Sequence, residues 1–280
     1  MDVSVLYHYT SVDTFFKILE VGLKENPNKI CLRATHAHFM KDPFEYDYAL
    51  SILKESMIKY EEINNIDARK SDYLFEKKNF FSWISRIGGE PYLLSFSEHA
   101  DDLSMWRGYG KDGTGLSIGL DLNELKQYCN EKGIYNTSII KCNYAHDIVI
   151  SDLIKYWDKE YKNFKIEEDS NQVGLNDLGS LILSIPNLCF QAKSKAYLME
   201  KEWRLCKNEY NEKNVEFDVR GNLIVPFVKH LFDISIIKKI IIGPSSNFEL
   251  VEKGLRLFLE KLNFYNKGLV ERSEISYRQL

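Results

Sequence analysis

Proline is scarce in this chain, with six in 280 residues, and the six do not cluster, so no Pro-rich linker divides the sequence. Internal repeats and low-complexity tracts are also lacking, which excludes solenoids and arrays and leaves one large domain over 1–280 as the expectation. The five cysteines, Cys31, Cys129, Cys142, Cys189 and Cys206, are odd in number, far apart and without a CxxC pair. That spacing fits reduced, mostly buried thiols better than a disulfide framework or a structural zinc site. No stretch approaches the ~18 apolar residues a membrane helix needs. The opening MDVSVLYHYT has no basic segment ahead of an apolar run, so secretion is not expected and the cytoplasm is the expected compartment. Charge of one sign is not in excess either. The 37 basic and 41 acidic side chains leave a net charge of −4, and with it no overall attraction toward nucleic acid or an acidic membrane.

What is present is a hydrophobic content of 44% and a charged content of 28%, enough for a sizeable core in a globular domain. SVLYHYT alternates as a short strand. SVDTFFKILEVGL then carries a Ser/Asp start and an apolar stripe, and predicts a helix ending near Gly22. KICLRATHAHF reads as extended. From Pro43 the pattern turns helical, predicting a helical insert at about 43–87. After Gly88 and Gly89, PYLLSFSE is a strand, DDLSMWRGYG a short helix and TGLSIGLDL a strand, with Gly113, Gly115 and Gly119 leaving room for close backbone approach. A helix at DLNELKQYCNEKG, a strand at TSIIKCNY and helical patterns in DIVISDLIKYWDKEYKNF and SLILSIPNLCFQAKS follow. EKEWRLCKN, GNLIVPFV and IKKIIIGP are extended runs, FELVEKGLRLFLEKLNF is an amphipathic helix and ISYR a closing strand. The order predicts an α+β domain with helical insertions between its strands.

Three segments concentrate polar side chains on strands or strand ends: YHYTS at the start, LLSFSE with MWRGYG in the middle, and MEKEWR at 199–204. Together with DPFE at 42–45 they resemble a bacterial family of uncharacterised domains with the pattern YHYTS, DPxE, SFSE, MWxxY and ExEWR, except that Lys41 stands where an asparagine is expected. The layout also resembles, more remotely, the ADP-ribosyltransferase superfamily. His8 is similar to that superfamily's first-strand histidine, Ser95 and Ser97 to its serine motif, and Glu200 and Glu202 to its ExE turn and strand. The resemblance implies an ADP-ribosyltransferase-like split antiparallel β core, NAD as the substrate, and transfer of ADP-ribose to an unknown macromolecular acceptor or to water. It also implies a role as a toxin or in defence against phage.

The chemistry asks for the same residue types. Breaking the nicotinamide–ribose bond passes through an oxocarbenium-like state, which a carboxylate near the ribose stabilises while orienting the 2′-hydroxyl. Glu202 is the candidate, and the resemblance to ExE enzymes implies that Glu200 positions an acceptor. His8 is expected to bond a ribose hydroxyl and a backbone carbonyl at once, with Tyr7 and Tyr9 as walls and Thr10 beside it. Trp106 or Tyr109 offers an aromatic face to the cationic nicotinamide ring. Ser95, Ser97 and Arg204 complete the expected NAD-binding set.

Blander roles compete at each position. Glu202 and Arg204 also fit a cross-strand ion pair, Asp42 and Glu45 fit a helix cap, and Lys193 and Lys195 fit either a pyrophosphate or solvated surface. THAHF places His36 and His38 at a chelating spacing but supplies no third ligand, so no metal is expected. The rival functions are a non-enzymatic nucleotide-sensing module and a metal-dependent nuclease using Asp42, Glu45, His36 and His38.

Overall fold

The computed structural model describes residues 3–25, 28–42, 44–65, 89–133, 137–163 and 190–277. Strand β1 (Val5–Thr10) leads into helix α1 (Val12–Glu25), and Ser11 caps the junction: its Oγ accepts the Thr14 amide at 3.3 Å and its carbonyl the Phe15 amide at 3.0 Å. Phe15, Ile18 and Leu19 recur at helical spacing and are buried. The helix runs past Gly22, where the sequence predicts its end, because the chain reverses at Asn28 in the left-handed region (φ 67) instead. Strand β2 (Lys29–His36) stops short of the predicted extended run, since Ala37–Phe39 coil into a 3-10 turn.

Helix α2 (Glu45–Ile63) occupies the first part of the predicted insert; Pro43 and 66–88, Gly88 among them, lie outside the described residues. Then come β3 (Glu90–Ser97), α3 (Leu103–Gly108), β4 (Leu116–Asp121), α4 (Leu122–Lys132), β5 (Thr137–Lys141) and α5 (His146–Asn163). Of the helical pattern at 180–194, residues 180–189, Cys189 among them, are outside the described residues, and 190–194 are not helical but a turn and an isolated bridge from Ala192 to Asn143. A 3-10 segment (Lys195–Glu200) precedes β6 (Glu202–Glu209), after which β7 (Glu216–Arg220), β8 (Leu223–Asp233), β9 (Ile237–Ile242), α6 (Phe248–Lys261) and β10 (Val270–Arg272) complete the chain.

The strands form one sheet in the order β10-β9-β4-β1-β3-β2-β8-β7, with β6 and β5 branching from β3. Every pairing is antiparallel except β9 with β10. The fold is therefore α+β on a mostly antiparallel sheet. Helices α1, α4 and α6 cover one face, where Phe15, Leu125 and Leu259 meet Leu6, Leu94, Phe96 and Leu205. Helices α2 and α5 cover the other, where Leu53, Met57 and Trp157 meet Leu93 and Cys206. The four described cysteines are buried free thiols. Strand expectations fail in two ways. The described part of ISYR, 275–277, is not a strand, the chain turning after β10 where Ser273 donates its hydroxyl to Asp101 at 2.7 Å, and β7 and β10 were not anticipated. Gly115 is required by contact: a Cβ there would stand 2.2 Å from the Thr10 carbonyl oxygen.

One buried group ties this core to pH. His230 on β8 is 2% exposed, its Nδ1 meets the Tyr128 hydroxyl at 3.1 Å, and its Nε2 has no partner among the described residues. Burial first, then Lys207 and Lys132, push its pKa down to about 3. As pH falls below ~6.5 the unfolded chain binds a proton that the fold refuses, so stability drops by ~1.4 kcal/mol per pH unit for this group. Urea unfolding of His230→Phe at pH 4.5–6.5 should show a dependence on pH shallower by about one proton. An unchanged slope would place the acid sensitivity elsewhere.

Candidate active site

Strand β3 is paired along its whole length to β6, from Glu90↔Glu209 to Ser97↔Glu202. Its other edge is shared. β2 takes the beginning, at His36↔Tyr92 and Thr35↔Leu93, and β1 touches only the end, at Tyr7↔Ser97. The sheet forks here, and between the prongs the edge of β3 at 94–96 has no strand partner among the described residues. A backbone carbonyl in such a gap needs a donor. His8 supplies it, with Nδ1 3.0 Å from the Ser95 carbonyl oxygen. A carbonyl only accepts, so Nδ1 carries the proton and Nε2 is left as an acceptor. Burial lowers the His8 pKa and the Ser95 bond offsets only part of that, so the ring is neutral near pH 7.

A cleft of about 620 Å³ opens at the fork, bordered by His8, Tyr9, Thr10, Ser95, Lys41, Tyr109, Glu200 and Glu202 among others. Seven of the ten sequence-predicted site residues border it. Ser97, Trp106 and Arg204 do not. Ser97 is fully buried and donates its hydroxyl to the Glu200 carbonyl at 2.7 Å, tying β3 to the turn before β6. Trp106 is fully buried with its Nε1 donating to Asp101 at 2.6 Å, so its ring has no face to offer a ligand. Tyr9 points to the opposite side of β1 from His8. Its ring packs edge-on to Trp106 at 4.8 Å and its hydroxyl donates to the His99 carbonyl, so it supports the wall from behind.

The two glutamates do not share a strand, as the ExE spacing predicts for a strand edge. Glu200 ends the 3-10 segment, Lys201 follows in the left-handed region (φ 40), and Glu202 opens β6. The turn swings Glu200 round so that both carboxylates reach one ammonium. Lys193 Nζ donates to Glu200 Oε2 at 2.6 Å and to Glu202 Oε2, and lies 3.7 Å from Glu45. Arg204, on the same face of β6 as Glu202, donates to Glu202 Oε2 at 2.9 Å, to the Phe190 carbonyl at 2.9 Å and to Glu45. Neither cation is solvated: Lys193 is 6% exposed and Arg204 0%.

Electrostatics hold the cluster ionised at its basic end. Burial acts against the Lys193 charge, but Glu202 and Glu200 outweigh it and hold its pKa above the usual lysine range. Burial draws Arg204 down to about 10, still cationic at neutral pH. Burial raises the Glu202 pKa, opposed by Lys193. The Ser95 hydroxyl lies beside Glu202 yet completes no hydrogen bond. Tyr109, at the end of α3, donates its hydroxyl to Glu200 Oε1 at 2.7 Å.

Sequence reasoning missed three members of this site. Glu45 was expected to cap α2, but its carboxylate is buried against Arg204, and Asp42 instead accepts the Phe44 amide at 3.0 Å. Lys193 was expected at a pyrophosphate or in solvent and is instead the buried counter-ion of three glutamates. Tyr144, whose hydroxyl accepts the Glu202 amide at 2.9 Å, had no signal at all. Among the described residues no three His, Cys, Asp or Glu side chains gather as a metal site; His36 Nε2 pairs with Glu90 at 2.8 Å. No described helix is long and apolar enough to cross a membrane.

Residues 105–205 match the model of a family described as a protein of unknown function, DUF2971. The matched stretch carries Tyr109, Lys193, Glu200, Glu202 and Arg204 but not His8, Ser95 or Glu45. No curated protein and no solved structure matches the chain.

Removing one partner of a buried ion pair leaves the other uncompensated, at a cost of ~3–5 kcal/mol, whereas an apolar replacement of the pair is often neutral. Arg204 keeps Glu202 when Glu45 is removed, so Glu45→Leu should lower unfolding stability by only part of that amount, Arg204→Met alone should also be destabilising, and the two together should recover most of the loss. Chemical denaturation of the four proteins of the cycle checks this; additive losses would show that Glu45 and Arg204 are not coupled.

Proposed function

We propose that the protein cleaves NAD at the nicotinamide–ribose bond, transferring ADP-ribose to a macromolecule or to water, on an ADP-ribosyltransferase-like split β core. The observation that carries the reading is the fork of the sheet, which brings His8, Ser95, Tyr109, Glu200 and Glu202 from separate segments to one cleft. In this reading a ribose hydroxyl donates to His8 Nε2, whose orientation is fixed from behind by the Ser95 carbonyl. Among the described residues the bonds to the Glu202 carboxylate fall on Oε2, and in this reading Oε1 takes the 2′-hydroxyl and faces the positive charge that develops on the ribose. Lys193 and Arg204 fix the carboxylate before substrate arrives, so little reorganisation is needed as the bond breaks. Nicotinamide leaves neutral and requires no acid. A bacterial toxin or an effector of defence against phage is the setting in which such an activity fits.

Purified protein incubated with NAD should release nicotinamide, and Glu202→Gln should lower kcat on the order of 100-fold or more in protein that still folds, with a lower melting temperature because Lys193 and Arg204 lose a buried counter-charge. Cleavage at the parent rate by the folded variant would remove Glu202 from the reaction. Glu200→Gln separates transfer from hydrolysis, because activating an acceptor needs a base that solvolysis does without. Nicotinamide release should persist in that variant while incorporation of labelled ADP-ribose into a cell lysate falls; equal losses in both would assign Glu200 to the ribose site.

A further inference from the structure

Tyr109 borders the cleft, partly buried against the cluster of Tyr9, Met105, Trp106 and Ile241. The Lys41 ammonium stands over its ring, 4.8 Å from the centroid, and donates to the Gly108 carbonyl at the end of α3. Lys41 and Tyr109 both border the cleft, and Tyr109 reaches through its hydroxyl to Glu200. The carbonyl at a helix end favours a cation, and so does the ring face, so two weak attractions hold one exposed lysine over the ring.

We infer that Lys41 is a specificity-determining residue, an internal cation that occupies the Tyr109 face and must move aside before a cationic ring can stack there. The inference rests on the NAD-cleavage reading, with the nicotinamide ring stacked on Tyr109, the one of the two expected aromatic residues that borders the cleft. An arriving pyridinium competes with the ammonium for the same quadrupole, and a lysine that stays nearby repels it. A neutral ring of the same shape meets only the steric part of that barrier. Lys41 therefore weakens binding of the positively charged ring of NAD relative to neutral nicotinamide, which discourages a substrate-like cation more than the product. Its side chain is long and exposed, so displacement demands no change in the backbone.

The test uses the full-length protein and two small probes, 1-methylnicotinamide, a pyridinium methylated on its ring nitrogen, as the cation and nicotinamide as its neutral counterpart, titrated by calorimetry. Lys41→Asn should bind the cationic probe on the order of 5-fold more tightly than the parent, with the affinity for nicotinamide changed less than about 2-fold. Tyr109→Leu added to Lys41→Asn should abolish the gain. An equal gain for both probes would reduce Lys41 to a steric plug and overturn the inference, as would no gain for the cation. The probes report binding alone. Selective gain with no nicotinamide release from NAD would keep the role of Lys41 and sink the cleavage reading, and release without selective gain would do the reverse.

Discussion

Arg204 carries a positive charge to a place water does not reach, and much of the site is arranged around that charge. Glu45 comes to it from the first turn of α2, Glu202 from two residues away on β6, and the Phe190 carbonyl from the segment that also delivers Lys193. Desolvating two cations and two carboxylates is costly, and their mutual attraction roughly returns that cost without adding much to stability. What the cluster contributes is position. An apolar core would hold these elements together equally well but would leave Glu202 free to turn, whereas paired charges fix its Oε2 and the direction of Oε1.

The fork of the sheet depends on this arrangement from the other side. β3 is the common strand, zipped to β6 on one edge and split between β1 and β2 on the other. Because β6 holds Glu202 and the fork holds His8, the full β3–β6 ladder sets the distance between the two ends of the cleft. The hydroxyl of Ser97 locks the same ladder to the Glu200 turn. Tyr109 closes the circle from α3 through its bond to Glu200. The histidine between two tyrosines in YHYTS now has a physical account: it fills the donor position that an interrupted sheet leaves open, and its other nitrogen remains for a ligand.

Local pattern carried most of the elements, since β1, β3, β4, β6, β9 and the helices α1, α3, α4 and α6 have clear periodicity or caps. It failed where the determinant was distant. Glu45 looks like a capping acid because its partner lies 159 residues away, and Lys193 looks like a surface lysine because Glu45 is distant in sequence and the nearby Glu200 and Glu202 reach it only through the turn at Lys201. β7 was missed because Phe217 and Val219 are exposed, so its alternation marks no buried face. Trp106 was legible as an aromatic near the site, but only its bond to Asp101 and its place against Tyr9 show that it faces the core. The glutamate pair was expected on one strand edge and is instead split between a turn and β6, because the left-handed Lys201 between them carries no sequence mark.

The central claim is that the forked cleft receives NAD, with the ribose at His8 and Glu202. Hydrogen–deuterium exchange with a non-cleavable NAD analogue tests occupancy without depending on turnover. The account predicts slower exchange at 8–11, 94–97 and 109–111, the segments that line or flank the fork, with α6 on the far helical layer unchanged. Exchange at 8–11 and 94–97 that is identical with and without saturating analogue would contradict it.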